Sequence, residues 1–222
     1  MKWTNVIKVW QKYSQVFLQG LGGTLWISAV VLLAGSILGL FISLLRMSKI
    51  KPFRMIGAVY VEILRGTPIL LQLYFFWIGL PKLFTSLELT DTQCILVALV
   101  INASAYISEI FRAGINAVDK GQFEAARSLG MSESHVMSRV ILPQAVKNIL
   151  PALGNEFIST IKGTSLASVF FVGELMTSQK TVQSATFLAL ESLFIVGVIY
   201  FVLSFGLSKL LNLLERRLKA SD

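Results

Sequence analysis

Glu156, Lys162 and the five amide or hydroxyl residues around them are the groups in this chain with the most chemistry to offer. Asn155, Glu156, Ser159, Thr160, Lys162, Thr164 and Ser165 interrupt an otherwise apolar stretch running from about Ile149 to Phe171. An ionised group in apolar surroundings is costly, so it faces a partner or a cavity. Glu156 can hold a cation, and Lys162 or a nearby helix N-terminus can hold an anionic group. The two do not face one another, because six residues of helix turn them about 240° apart. Pro151, Gly154 and Gly163 can loosen the backbone between them. The same small polar residues could instead hydrogen-bond between helices. Glu62 and Arg65, and Glu109 and Arg112, are spaced i, i+3, where opposite charges can pair with one another or anchor the helix at the membrane interface. The run from Glu62 to Gln72 is the second polar stretch able to line a path.

None of this is bond-making chemistry. The chain has one cysteine and one histidine, Cys94 and His135. An intramolecular disulfide is excluded, and a zinc site of Cys and His ligands is not expected. There is no Ser/His/Asp constellation and no G-x-x-x-x-G-K-[ST] phosphate loop. The chain reads as a non-enzyme with no cofactor or metal of its own.

The elements that must position these residues are membrane helices. Hydrophobic residues make up 55% of the 222 and charged residues 14%, against about 25% charged in soluble chains. Mean hydropathy is +0.71. The net charge of +8 then belongs beside anionic headgroups rather than on nucleic acid. Five apolar runs are long enough to span: about Leu18–Leu45, a region within 53–85, Thr92–Ala117, Ile149–Phe171 and Phe187–Leu207. A break is expected near Gly66, with Thr67 as N-cap and Pro68 as first helical residue. It would leave an interfacial helix followed by a short span.

Basic residues collect on the inner side of a membrane. The loop after the first span holds Arg46, Lys49, Lys51 and Arg54 and no acid, and Arg216, Arg217 and Lys219 follow the last. With five spans this puts the N-terminus outside and the C-terminus in the cytoplasm. Lys2, Lys8 and Lys12 argue the other way. Their stretch reads as an amphipathic surface helix, with Trp3, Val6, Trp10 and Tyr13 on one face.

The longest polar connection, about 118–147, should fold as two short helices at a tight bend. Gly130 stops the first in a left-handed turn, and Ser132 caps the second. Val136, Met137, Val140 and Ile141 share its apolar face, and Pro143 breaks it.

Glu124-Ala125-Ala126, three residues, Gly130, nine residues, Val140, one residue and Leu142-Pro143 resemble the EAA loop of ATP-binding-cassette (ABC) importer permeases, with Val140 at the position of the usual isoleucine. Arg65-Gly66-Thr67-Pro68, Ala105-Tyr106 with Glu109, Arg112-Ala113-Gly114-Ile115, Lys120-Gly121-Gln122, Ile141 to Ala145 and Lys162-Gly163-Thr164-Ser165-Leu166 are similar to the polar amino acid permeases, though members often carry an acid where Gly163 stands. The resemblance covers nearly the whole chain.

It implies an all-α, multi-pass permease of the type I importer fold, one transmembrane domain over 1–222, in a prokaryotic cell membrane. The loop would be the coupling helix for an ABC ATPase, with Gly121, Glu124, Ala125, Ala126, Gly130, Leu142 and Pro143 as its residues. ATP and magnesium would sit on that ATPase. A second permease copy or paralogue, an extracytoplasmic amino-acid-binding protein, membrane lipid and the amino acid itself are the other implied partners. The substrate path is expected along Asn155, Glu156, Ser159, Lys162, Thr164 and Ser165, with Glu62 and Gln72 next. Two other readings compete: an EAA-loop permease for another small solute such as methionine or an osmolyte, and a channel or structural membrane subunit, which has no use for an ATPase-docking loop.

Overall fold

The computed structural model describes residues 1–219, with side chains through Arg217. Among the described residues the structure is helical, with no strand. The helices are α1 (Trp3–Met47), α2 (Lys51–Gly66), α3 (Ile69–Leu83), α4 (Asp91–Asn116), α5 (Lys120–Ser128), α6 (Glu133–Val136), α7 (Leu142–Gly163), α8 (Leu175–Thr186) and α9 (Ala189–Lys219). A π turn, Met137–Ile141, joins α6 to α7, and a 3-10 turn, Thr164–Phe170, extends α7.

Helix α1 is the backbone of the molecule and packs on α4, α8, α2, α7 and α9. Small residues permit this. A Cβ on Gly39 would lie 3.0 Å from the Ser104 carbonyl oxygen of α4, and one on Gly23 would collide with the Gly173 carbonyl. In lipid, close backbone approach of this kind replaces hydrophobicity as the force that holds helices together. The largest apolar cluster forms where α1, α3 and α4 meet the 3-10 turn, around Val31, Leu73, Ala98, Ile107 and Phe170.

Three of the helices, α1, α4 and α9, are long and apolar enough to cross a membrane, and α2 with α3 makes a fourth candidate as a pair bent by 109°. The expected break at Gly66 is therefore present. Its chemistry differs from expectation. Pro68 is the N-cap residue of α3, and the Thr67 hydroxyl donates back to the Ile63 carbonyl of α2. The expected fourth span, Ile149–Phe171, is divided: α-helix ends at Gly163 and the 3-10 turn runs on to a left-handed Phe171.

Two further expectations are corrected. The N-terminal stretch is no separate surface helix. It continues into the first span without a break, because no proline interrupts residues 3–47 and four of its five glycines, Gly20, Gly23, Gly35 and Gly39, are held by packing. Val6 and Tyr13 lie against the cluster of Val9, Phe17, Ile195 and Val196, and Trp3 meets Phe194 edge to face. Nor does Pro143 break the chain. It falls in the first turn of α7, where a missing N–H costs nothing, after the π turn has widened the helix so that the Leu142 N–H reaches Met137.

Helix α8 is tied in by a buried acid. Glu174 caps it, accepting from the N–H groups of Met176 and Thr177 and from the Tyr200 hydroxyl of α9. Burial pushes this carboxyl above the ordinary carboxylate value, and those hydrogen bonds oppose the rise.

Candidate functional site

A cavity of about 450 Å³ opens beside the break between α2 and α3. Thr67, Pro68 and Ile69 form one wall, Asn102 and Tyr106 of α4 a second, and Glu156, Ser159 and Thr160 of α7 a third. The break itself supplies polar backbone, which within a membrane is tolerated where it lines a cavity. Gln72 stabilises it. Its amide nitrogen donates to the Leu64 carbonyl and the Thr67 hydroxyl, each at 2.8 Å, and its oxygen accepts from Asn102 at 2.9 Å. The Asn102 side chain thereby joins α4 to the broken helix.

Glu156 is half-buried in this cavity. Among the described residues no cation pairs with it. A carboxylate held in that position is costly unless a mobile cationic group meets it. Hydroxyls of Ser159 and Thr160 and the amide of Asn102 surround the same space. This arrangement can bind a solute carrying an ammonium group, with donors and acceptors for its other polar atoms. It offers no nucleophile. Among the described residues no three His, Cys, Asp or Glu side chains converge as a metal site would require.

The residues expected on the path divide into two sets. Glu156 and Ser159 line the cavity, and Gln72 braces its wall. Asn155 and Lys162 are exposed on other faces of α7. Thr164 is fully buried and its hydroxyl donates to the Ile161 carbonyl, while Ser165 donates to the Lys162 carbonyl. Asn102 and Tyr106 are not among the residues expected on the path, whereas Thr67 falls within the expected Glu62–Gln72 stretch. Asn102 carried a usable signal, as an amide inside the apolar run of α4, one helical turn before Tyr106.

Glu62 lines a second cavity with Arg46, Arg65, Tyr106 and Glu109, also of about 450 Å³. The expected pairing of Glu62 with Arg65 is not formed. Arg65 reaches Glu109 instead, at 3.4 Å. Glu109 also accepts from Arg46, and from Arg112 at 2.7 Å, so the expected Glu109–Arg112 pair is present.

The polar loop makes the anticipated bend, although its second helix runs on through the π turn into α7. Asp119 caps α5, and Gly130 follows it with φ +82°, the left-handed region where a glycine has no Cβ to clash. Ser132 caps α6, and His135 is exposed with its Nδ1 2.9 Å from the Ser132 hydroxyl. Val136 and Ile141 are buried with Ala126, while Glu124, Gly121 and Leu129 remain exposed. Leu142 and Pro143 open α7 directly behind the bend.

Comparison with known proteins agrees with this fold. Residues 16–220 match the family described as binding-protein-dependent transport system inner membrane component. The arginine transport system permease protein ArtQ of Bacillus subtilis is 42% identical over 205 residues, covering 92% of this chain and 93% of that protein. The glutamine transport system permease protein GlnP of Escherichia coli is 37% identical, covering 92% and 93%. A solved amino acid ABC transporter with histidines superposes with a TM-score of 0.91 at 43% identity, covering 98% of this chain and 99% of its own. The MetNI methionine ABC transporter shares the fold, at TM-score 0.69 and 17% identity. The chain belongs to the binding-protein-dependent transport system inner membrane components, and it is a membrane permease subunit of the ABC class, without catalytic function of its own.

Proposed function

We infer that this permease carries a polar amino acid inward across the cytoplasmic membrane of a prokaryote, driven by ATP hydrolysis on a separate ABC ATPase. The unpaired Glu156 in the cavity at the helix break carries this reading. An amino acid crossing lipid must exchange its water for protein groups. Glu156 meets the α-ammonium or a cationic side chain, and Asn102, Ser159 and the open backbone at Thr67–Ile69 meet the remaining polar atoms. Transporter sites of this kind lie near the midplane at interrupted helices. The relatives named for arginine and glutamine, and the solved amino acid ABC transporter with histidines, support the substrate class.

In this reading the chain spans the membrane five times, with its N-terminus outside. Two permease chains, copies or paralogues, pair about a two-fold axis. The loop 118–147 docks on the ATPase through Glu124 and its neighbours, and ATP with magnesium stays on that partner. Closure of the ATPases rocks the helices between inward- and outward-open states, and an external binding protein delivers the amino acid. The test is reconstitution with the neighbouring ATPase and binding protein in proteoliposomes. Glu156→Gln should change which amino acids stimulate uptake, or raise the half-saturating concentration about tenfold, as loss of about one charge-assisted hydrogen bond would. Thr164→Val, behind the cavity, should leave the profile alone. An unchanged profile and affinity in Glu156→Gln would place the path elsewhere.

A further inference from the structure

The two polar cavities are stacked along the same pair of elements. On α4, Leu99, Asn102, Ala103 and Tyr106 line the first, and Tyr106 and Glu109 line the second. On the broken helix, Thr67 to Ile69 line the first, and Glu62, Arg65 and Gly66 line the second. Tyr106 belongs to both. The second cavity is therefore displaced toward the end of α4 that leads, through Asn116, into the loop at α5.

Charge distinguishes the two. Three guanidinium groups converge on the single carboxylate of Glu109. Arg46 takes Oε1, and Arg112 takes Oε2 through two nitrogens, at 3.0 and 2.7 Å. Both oxygens are thus supplied before Arg65 is counted. Arg65 holds the longest of the three contacts, 3.4 Å, and its side chain is 47% exposed against 17% for Arg46. Its guanidinium lies over the Tyr106 ring, 5.6 Å from the centroid. It is the surplus cation of the cluster, parked on the residue that divides the cavities. One turn earlier on the same helix face stands Glu62, which among the described residues makes no ion pair.

We propose that the second cavity is a release site for the amino acid, where Arg65 takes its carboxylate and Glu62 its ammonium after it passes Tyr106. The inference rests on the amino acid permease reading above. Neighbours at i and i+3 on a helix are about 5–6 Å apart at Cβ, a spacing that suits the two charges on one α-carbon. A guanidinium binds a carboxylate bidentately, so Arg65 can exchange its single long contact to Glu109 for two to the substrate. Glu109 keeps Arg46 and Arg112 meanwhile, and the cluster does not collapse. Movement of Arg65 also uncovers Tyr106, opening the way between the cavities as the substrate is received.

The test uses the reconstituted complex with its ATPase and binding protein, and arginine and glutamine as probes. Arg65→Gln should lower maximal uptake and substrate-stimulated ATP hydrolysis together, about tenfold. The half-saturating concentration should stay within about twofold, and the yield of assembled complex should be unchanged. Arg65→Lys, which keeps the charge but loses the bidentate fork, should recover part of the rate. A merely structural tie between α2 and α4 would instead lower that yield, and that result overturns the proposal. So does full-rate uptake by Arg65→Gln, or a shift in half-saturation with the maximal rate intact. Glu156→Gln measured alongside separates the two readings: it reports on affinity and profile at the first cavity, whereas Arg65→Gln reports on turnover through the second.

Discussion

The side-chain amide of Gln72 donates to the Leu64 carbonyl, 2.8 Å away and eight residues earlier in the chain. It spans the 109° bend between α2 and α3 and satisfies a carbonyl that the end of α2 leaves open. Gln72→Leu would orphan both that carbonyl and the Asn102 amide, in surroundings that offer little water. Each such group costs about 1–3 kcal/mol. The purified complex should therefore melt several degrees lower in a thermal-shift measurement, and a midpoint equal to wild type would show that the bend does not depend on this side chain.

Gly22 and Gly23 make a paired test of close packing. A Cβ on Gly23 runs into the Gly173 carbonyl, whereas one on Gly22 meets nothing within 4 Å. Gly23→Ala should destabilise by about 1–3 kcal/mol, as overpacking does. Gly22→Ala should be neutral or slightly stabilising, since alanine is the better helix former. Equal effects on denaturation of the two variants in detergent would count against this contact between α1 and the residues before α8.

At Gly130, φ is +82° and nothing lies within 4 Å of a Cβ. Backbone conformation, rather than space, sets the requirement. Gly130→Val should insert into membranes at wild-type levels while co-purifying poorly with the ATPase and losing uptake. Gly130→Asn, a residue that tolerates the left-handed region, should keep most of the activity. Normal uptake by the valine variant would remove the loop from the coupling role.

Orientation can be read by labelling. In a Cys94→Ser background, a cysteine at Ser86 should react with an impermeant maleimide from outside intact cells. One at Ser134 should react only after permeabilisation. The opposite pattern would invert the topology.

Patterns of one residue type were the most legible part of the sequence. The apolar runs announced helices, Gly130 announced its left-handed turn, and the Gly66–Pro68 run announced the break. What stayed hidden depends on partners far apart in the chain. Glu62 and Arg65 have ideal spacing for a pair, yet Arg65 turns to Glu109, 44 residues on, because α2 packs beside α4. Lys162 and Asn155 share a helix with Glu156, but the rotation of α7 about its own axis aims them away from the cavity. That angle is set by packing against α4 and α9 rather than by local composition. Pro143 misled for a related reason, since a π turn that absorbs a proline leaves no compositional mark.

The 45 residues of α1 form one uninterrupted rod. At 1.5 Å per residue it is about 68 Å long, more than twice the ~30 Å hydrocarbon thickness of a bilayer. Such a rod must lean steeply or project well beyond one surface. It carries Arg46 of the charge cluster at one end and, near the other, the first turns packed against α9. Leverage follows. Pivoting by ~5° about one end moves the other by about 6 Å at this length. A rearrangement of a single ion pair at the Arg46 end can thus be felt as a displacement wider than an amino acid's own backbone at the opposite face, with no unfolding and no hinge in between.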